Sequence, residues 1–577
     1  QNHTDFGNSR RPTGTNALLE DVVVPVDVLG TTCRDLTALF DAHGYQDSVI
    51  FGHAKDGNIH FMLNEQFRDA KQLVRYRDFT EEMVQLILEA DGSLKAEHGT
   101  GRIMAPFVRR QFGDELFEVM REIKRLIDPK GFLNPGVVLA EEDTDYATDL
   151  KVAETVEEEV DRCVECGYCE PVCPSKDLTL TPRQRIVLRR EIAAAEANGD
   201  TKLAERLRQE YEYYGVDTCA VDGMCVTRCP VLINTGDLVR RLRAENQDAL
   251  GAAGWKFASK HWGTIDKVAG KALTAAKMLP FPVVRGATDI GRKLFGEDLV
   301  PAYKKGLSAG GAPRVPHAEA NPDIVFFPAC VNAMFGGVDG EGKHDPVNAT
   351  QAFIRLCERA GVKYRVPEGI DQMCCGTPWK SKGYTDGYSI MSDRVLKALW
   401  QATDGGRIPI VCDASSCTEG LEVMRAKVAA AVEHKITQGL GAGEADYAQL
   451  KLIDSVQFAA DTLLPKLTVS APLPSLALHP TCSMTHLGVQ PAFEKIANAM
   501  SEQVYVPKNW GCCGYAGDRG MLHPELTQSA TRAETAELNE HEFAAYISSN
   551  RTCEQGMTEA TGHTFQNVLQ LLERATR

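Results

Sequence analysis

Cys163-x2-Cys166-x2-Cys169-x3-Cys173-Pro174 and Cys219-x5-Cys225-x3-Cys229-Pro230 are two cysteine-rich runs, each ending in Cys-Pro and separated by a charged, helix-like segment. Thiolates two residues apart on a tight turn can wrap three corners of one iron-sulfur cubane, while the more distant cysteine, turned away by the following proline, reaches a second cluster. The spacing predicts two 4Fe-4S clusters with crossed ligation: Cys163, Cys166, Cys169 and Cys229 on the first, Cys219, Cys225 and Cys173 on the second. Aligning Gly223-x-Cys225-x3-Cys229 on Gly167-x-Cys169-x3-Cys173 places Asp222 where the first run has Cys166. A carboxylate is a harder iron ligand than a thiolate. The second cluster is therefore expected either to be Asp222-ligated, with one labile iron, or to be a 3Fe-4S cluster. A zinc ribbon would need two short cysteine pairs and no Cys-Pro endings.

The chain around these runs has 577 residues, more than one ordinary domain needs. Its 63 Lys+Arg against 79 Asp+Glu give a net charge of -16, which argues against general nucleic-acid binding. The 18 cysteines fall in CxxC and CC groups, which read as metal or cluster sites in a reducing compartment rather than a secreted disulfide framework. The N-terminal Gln1-Asn2-His3-Thr4 is polar and opens no signal-peptide pattern. Apolar windows such as Ala272 to Val284 fall short of the roughly 20 residues a spanning helix needs. A cytoplasmic location is expected.

Upstream of the clusters, Val22-Val23-Val24-Pro25 reads as a strand, Thr31 to His43 as a helix and Ser48 to Phe51 as a second strand. In Gly52-His53-Ala54-Lys55-Asp56-Gly57-Asn58-Ile59-His60, Asp56-Gly57-Asn58 supplies a turn into a returning strand, a hairpin that brings two imidazoles together. Glu97-His98-Gly99-Thr100-Gly101 follows a helix whose apolar face holds Phe79, Met83, Leu86 and Ile87. Two histidines and a carboxylate, His53, His60 and Glu97, can bind a divalent metal and leave positions open for substrate oxygens. A helix after Pro106, with Phe107, Val108, Phe112, Leu116, Phe117, Met120, Ile123 and Ile127 on its apolar face, is expected to pack into this domain and stop at Asp128-Pro129.

These motifs, GHxxDGNxH as Gly52 to His60, EHGxG as Glu97 to Gly101 and DPKGxxNPG as Asp128 to Gly136, resemble the C-terminal part of the FAD-linked oxidase family of D-2-hydroxyacid dehydrogenases. The resemblance implies His53, His60 and Glu97 as ligands of a divalent metal (Zn, Mn or Fe), His98 as the catalytic base and Asn134 against FAD. It also implies hydride transfer from C2 of a 2-hydroxyacid to the flavin. Lys55 and Met62 depart from the commonest pattern, which leaves the substrate open. The family's FAD-binding domain precedes this region, so FAD is expected to be held mostly by a domain or chain outside this sequence.

Past Gly136 the run from 141 to 161 contains Glu141, Glu142, Asp143, Asp145, Asp149, Glu154, Glu157, Glu158, Glu159 and Asp161 against a single Lys151, and reads as a solvated connector. Thr181-Pro182 caps a helix to about Asn198, and a second covers Lys202 to Tyr214. This arrangement resembles the alpha-helical ferredoxin domains fused to flavoprotein dehydrogenases. Between Arg240 and Lys305, 13 Lys/Arg stand against 6 Asp/Glu. Helices covering the cluster domain are preferred there over a face resting on an anionic membrane.

Two C-terminal segments repeat one plan. A strand leads to Pro328-Ala329-Cys330, then come Cys374-Cys375-Gly376 and a strand into Ser415-Ser416-Cys417; equally, a strand leads to His479-Pro480-Thr481-Cys482, then Cys512-Cys513-Gly514 and a strand into Ser548 to Cys553. These resemble the CCG, or cysteine-rich, domains of heterodisulfide reductase and of the glycolate oxidase iron-sulfur subunit. Ala414 and Asn550 replace the first cysteine of the terminal CxxC, leaving Cys330, Cys374, Cys375 and Cys417 in one unit and Cys482, Cys512, Cys513 and Cys553 in the other. Four thiols suffice for a cubane or a tetrahedral zinc. Cys33, Cys357 and Cys412 read as ordinary buried thiols, with Cys412 able to substitute as a ligand.

The expected fold is multidomain, α/β and α+β: 1–140 the C-terminal part of an FAD-linked oxidase cap domain, 141–161 an acidic linker, 162–240 a helical two-cluster ferredoxin domain, 241–318 a helical basic connector, and 319–470 and 471–577 the two CCG repeats. The expected function is oxidation of a D-2-hydroxyacid of the D-lactate or D-2-hydroxyglutarate class, with electrons passing through Fe-S clusters to a quinone or another redox carrier. The alternatives are a non-catalytic electron-transfer subunit and disulfide reduction at the CCG repeats. The expected partners are a small 2-hydroxyacid and an upstream FAD-binding domain, without nucleic acid. A homo-oligomer and peripheral contact with the inner face of the membrane are compatible with this reading.

Overall fold

The computed structural model describes residues 11–46, 48–140, 145–297, 300–304, 306–337, 347–437 and 446–577. The polar N-terminus and Glu141, Glu142 and Asp143 of the acidic run lie outside the described residues. Two compact units are formed. The first takes the chain up to Tyr168 with Arg183–Arg208 and Arg228–Ile233; the second takes Cys169–Pro182, Gln209–Thr227 and Asn234–Arg577.

In the first unit, β1 (Asn16–Val23), β2 (Val49–Phe51) and β3 (Asn58–Glu65) form an antiparallel sheet in the order β1-β3-β2. β1 begins well before the Val22 expected from the sequence, because polar Asn16, Glu20 and Asp21 interrupt its apolar signal while the ladder from Asn16↔Glu65 to Val23↔Asn58 continues through them. The helices Leu29–Ala42 and Ala70–Glu89 cover one face of the unit's core. The second starts at an Asp69/Gln72 capping box and buries Tyr76, Phe79, Met83, Val84 and Ile87, with Leu86 half-buried. Phe40 stacks on Phe79 beneath the sheet residue Phe61.

Two expectations fail in this unit. The helix Val108–Ile127 buries only Val108 and Phe117, while Phe112, Leu116, Ile123 and Ile127 are exposed. Gly113 breaks it with φ 80° and ψ 167°, so the two halves do not share one face. The acidic connector is not simply solvated either. Tyr146, Ala153, Val160 and Asp161 are buried, Tyr146 packs on Phe107, and Asp161 accepts from the backbone N–H groups of Gly14 and Val156.

The second unit contains two parallel four-stranded sheets. β4 (Ile324–Phe327), β5 (Tyr364–Arg365), β6 (Ile410–Cys412) and β7 (Leu452–Asp454) lie in the order β5-β4-β6-β7. β8 (Leu476–Leu478), β9 (Val504–Tyr505), β10 (Ala545–Ser548) and β11 (Phe565–Asn567) lie in the order β9-β8-β10-β11, the same topology repeated. The central strands β4, β6, β8 and β10 are short, fully buried runs, as parallel sheets covered on both faces require. In each sheet the chain leaves the two central strands in opposite directions, which opens a crevice beyond their carboxyl ends.

The helices Ala249–Lys260 and Trp262–Lys277 pack on the first repeat. Trp255 and Trp262 both contact Trp379, and the Trp379 indole N–H donates to the Trp255 carbonyl. Among the described residues no helix is long and apolar enough to cross a membrane.

Candidate functional site

In the first unit the hairpin is fixed by two glycines. Gly57 (φ 71°) has no room for a Cβ, which would sit 1.9 Å from the Val24 carbonyl oxygen, and a Cβ on Gly52 would sit 2.4 Å from that of Asn58. His53 thereby leaves one strand facing His60 on the other, their rings 5.6 Å apart and edge to face. Glu97 Oε1 lies 3.3 Å from His53 Nε2 and 2.9 Å from His60 Nε2. The buried His60 Nε2 makes no hydrogen bond, so its approach to Glu97 is off-axis, the geometry of atoms aimed at a common point. His98 stands beside them, its ring 4.7 Å from that of His60, and is exposed.

Asp21, which sequence reasoning missed, builds this arrangement. Its Oδ2 accepts from the backbone N–H groups of Ala96, Glu97 and His98, and its Oδ1 from the Asn58 amide, so one buried carboxylate ties the Glu97-His98 loop to the hairpin. Burial pushes its carboxyl upward, but these donors, His98 N–H first, more than offset that and hold it below the usual range. Asp21, His60 and His98 form a second close group. With Asp21 committed to four donors, His53, His60 and Glu97 are the set with free lone pairs. The missed signal was Asp21's place inside a strand, where an acid needs a reason to be buried.

The closing loop reaches the same region through Val138 N–H, which donates to Gly101 O. Asp128 holds this loop by accepting from Phe132 and Leu133 N–H. Asn134 is exposed there with φ 42°.

The two cysteine runs adopt one local conformation. Glu165 and Gly167 have φ 58° and 83°, and Val221 and Gly223 have φ 53° and 76°, so Asp222 occupies the backbone position of Cys166. In the first unit, Arg11 and Arg190 both donate to the carbonyls of Asp161 and Cys163, and burial raises the Cys163 thiol, opposed by the Glu165 N–H and Arg190, with a further small upward push from Glu165 and Cys229. Cys169 belongs to the other unit. In the second unit, burial, then Asp222, Cys219 and Cys173, push Cys225 up to about 12, which puts these four groups within electrostatic reach of one another. Arg243 donates to the Cys219 carbonyl. Asp222 is driven up to about 6 by burial, although a hydrogen bond with Cys512 works against that. One of its oxygens has no partner. Such a buried, half-unsatisfied carboxylate beside three thiols fits a ligand to a cationic centre.

The repeats gather the expected thiols at the carboxyl ends of their central strands. In the first, Cys330 and Cys374 are 3.5 Å apart and Cys375 and Cys417 3.3 Å apart. Cys412 hydrogen-bonds to Cys417, so it joins this group rather than serving as an ordinary core thiol. Cys357 is fully buried and Cys33 only half-buried, both away from these groups. In the second, Cys482 hydrogen-bonds to Cys512, and Cys513 to Cys512 and Cys553. Cys375 and Cys513 play the same part: each is held well below the ordinary thiol range by hydrogen bonds from its neighbours, Cys374 and Cys417 or Cys512 and Cys553.

Comparison with known families divides the chain into three kinds of segment. Residues 5–138 match the C-terminal domain of FAD linked oxidases, 159–233 a 4Fe-4S dicluster domain, and 324–422 and 476–558 the cysteine-rich CCG domain. The chain thus carries a flavoprotein oxidase C-terminal domain, an iron-sulfur dicluster domain and a pair of cysteine-rich domains, in that order. It is 25% identical over 289 residues to a D-2-hydroxyglutarate dehydrogenase of Escherichia coli, covering 41% of this chain and 28% of that protein. It is 31% identical over 126 residues to a probable mitochondrial D-lactate dehydrogenase of Danio rerio, 22% of this chain and 25% of that one. A Bacillus subtilis glycolate oxidase subunit GlcD is 29% identical over 126 residues, 22% and 26% of the two chains. The chain therefore spans about a quarter of the length of these relatives.

Proposed function

We propose that this chain is the substrate-capping and electron-carrying part of a flavin-dependent D-2-hydroxyacid dehydrogenase, of the D-2-hydroxyglutarate or D-lactate class. The observation that carries the reading is the convergence of His53, His60 and Glu97 on one point, with His98 at its edge. His53, His60 and Glu97 would hold a divalent metal, which when bound polarises the substrate's hydroxyl and carboxylate oxygens. The flavin, held mostly by a domain upstream, supplies hydride acceptance. His98 takes the hydroxyl proton on its exposed imidazole. Asp21 fixes the backbone on either side of Glu97 so that ligand and base keep their spacing. Asn134 lies beside the exposed Phe132 and Leu133, an apolar surface of the kind a ring system covers.

Electrons leave through the Cys163, Cys166, Cys169, Cys229 and the Cys173, Cys219, Asp222, Cys225 sets toward the cysteine-rich repeats, the second of which hydrogen-bonds Asp222 through Cys512. The first repeat gathers five thiols, Cys330, Cys374, Cys375, Cys412 and Cys417, an all-sulfur set of the kind an iron-sulfur centre takes. Arg243 supports that route, donating to both the Cys219 and the Ser381 carbonyls. The final acceptor is a quinone or a comparable carrier. Exposed Met278, Leu279, Val283 and Ile290, among basic residues, suit a peripheral contact with the membrane that holds it.

In the complete assembly, His98→Ala should leave the flavin bound and slow its reduction by D-2-hydroxyacid by about 10²–10⁴-fold in stopped-flow measurements. Reduction at the parent rate would refute the assignment of His98.

A further inference from the structure

Beyond the cysteine sets, the second repeat contains a histidine that the first lacks. In register, β4 ends at Phe327 beside Cys412 on β6, whereas β8 leads to His479 beside Ser548, because Leu478 pairs with Ile547. The extra donor has moved from one central strand to the other, and from sulfur to nitrogen. His479 is fully buried, and its ligating atoms and those of Cys513 and Cys553 all lie within 4.8 Å of one another. Its backbone is pinned by His479 N–H to Ile547 O and by the Ser548 hydroxyl to His479 O.

The ring's orientation is set from behind. Nδ1 lies 2.8 Å from Oε1 of Glu534, itself buried on the helix Arg532–Leu538. A carboxylate at that distance requires the proton on Nδ1, which leaves the lone pair on Nε2. Nε2 makes no hydrogen bond of good geometry among the described residues, but it faces the Cys513 thiol closely enough to interact with it. A buried imidazole held on one nitrogen by a carboxylate, with the other nitrogen turned to two thiols, is the arrangement by which proteins orient a metal-binding histidine. The neighbouring Cys512 hydrogen-bonds to Cys482 and Asp222 on one side and to Cys513 on the other.

We propose that the second repeat binds one zinc-class divalent ion through His479 Nε2, Cys513 Sγ and Cys553 Sγ, with Glu534 as the positioning residue. Two thiolates and one imidazole match zinc's preference and leave a fourth position open. The ion undergoes no redox change, so the two repeats have different chemistry: electrons go to the first and a Lewis-acidic centre sits in the second.

The test uses the whole chain, purified anaerobically, with His53→Ala in place so that the hairpin donors hold no zinc. Zinc K-edge X-ray absorption should show a bound zinc with a mixed shell of nitrogen and sulfur. His479→Phe, which installs the first repeat's residue, should abolish retained zinc. Glu534→Gln, which keeps shape and packing, should weaken zinc about 10–100-fold in competition with a chelator while its shell stays mixed. Absence of zinc from the parent, an all-sulfur shell, or undiminished zinc in His479→Phe would overturn the proposal. These readouts do not involve hydroxyacid oxidation, so they stand or fall apart from it.

Discussion

The two cysteine-rich repeats have the same strand order and the same central CC pair, and in each the second thiol of the pair is lowered first by two neighbouring thiols, joined by Thr377 in the first and by His479 in the second. They differ at the ends of the central strands: Phe327 and Cys412 in the first, His479 and Ser548 in the second. Duplicated topology therefore fixes where a centre sits, while one residue at each strand end decides what it can hold.

The repeats should diverge most at their central thiols. Cys375→Ser should remove the iron of the first repeat while leaving zinc unchanged, and Cys513→Ser should do the reverse, as read by elemental analysis of each variant. Equal loss of iron from both would mean that the repeats are alike. A smaller effect is expected just behind the sites. Asp413 in the first repeat accepts from Ala329 N–H and the Thr350 hydroxyl, whereas its counterpart Ser549 makes a single hydroxyl contact with Ser415. Asp413→Ala leaves buried donors unpaired and should cost about 2–4 kcal/mol. Ser549→Ala should cost no more than about 1 kcal/mol. Urea unfolding of the loaded chains would measure both.

The smallest difference is a pH dependence. Asp454 and Asn567 cap equivalent helices at the ends of β7 and β11. Burial raises the Asp454 carboxyl to about 6 from its usual 3.8. The folded state then keeps a proton that the unfolded chain gives up, so this contribution to stability falls as pH rises from about 4 to 6. Asp454→Asn, which copies the second repeat, should flatten that slope and leave the variant more stable than the parent above pH 6 by about 1–3 kcal/mol. An unchanged slope in thermal melts would show that Asp454 stays ionised.

Local patterns carried much of this architecture into the sequence. The Gly52 to His60 hairpin, the cysteine runs and the tandem repeat depend on spacings within a few residues or on similarity between two segments. What the sequence concealed depends on partners distant along the chain. Asp21 is defined by amides 75 to 77 residues away. Cys412 and His479 stand alone in sequence and acquire their company only through strand pairing and, for His479, through Glu534. The helix after Pro106 misled for a different reason: its apolar period runs on through Gly113, where the backbone does not.

Val221 lies in the second cysteine run with a positive φ of 53°. A β-branched residue in the left-handed region is held against its own preference, at a cost on the order of 1–3 kcal/mol. The loop it opens presents Asp222 and Cys225, so bonds from those side chains to an inorganic core would be what keeps this hinge cocked. Extracting the core would let the peptide relax, and re-entry would then require the loop to be wound again, making assembly of this centre slower and more cooperative than at the opposite run, where unbranched Glu165 occupies the same bend.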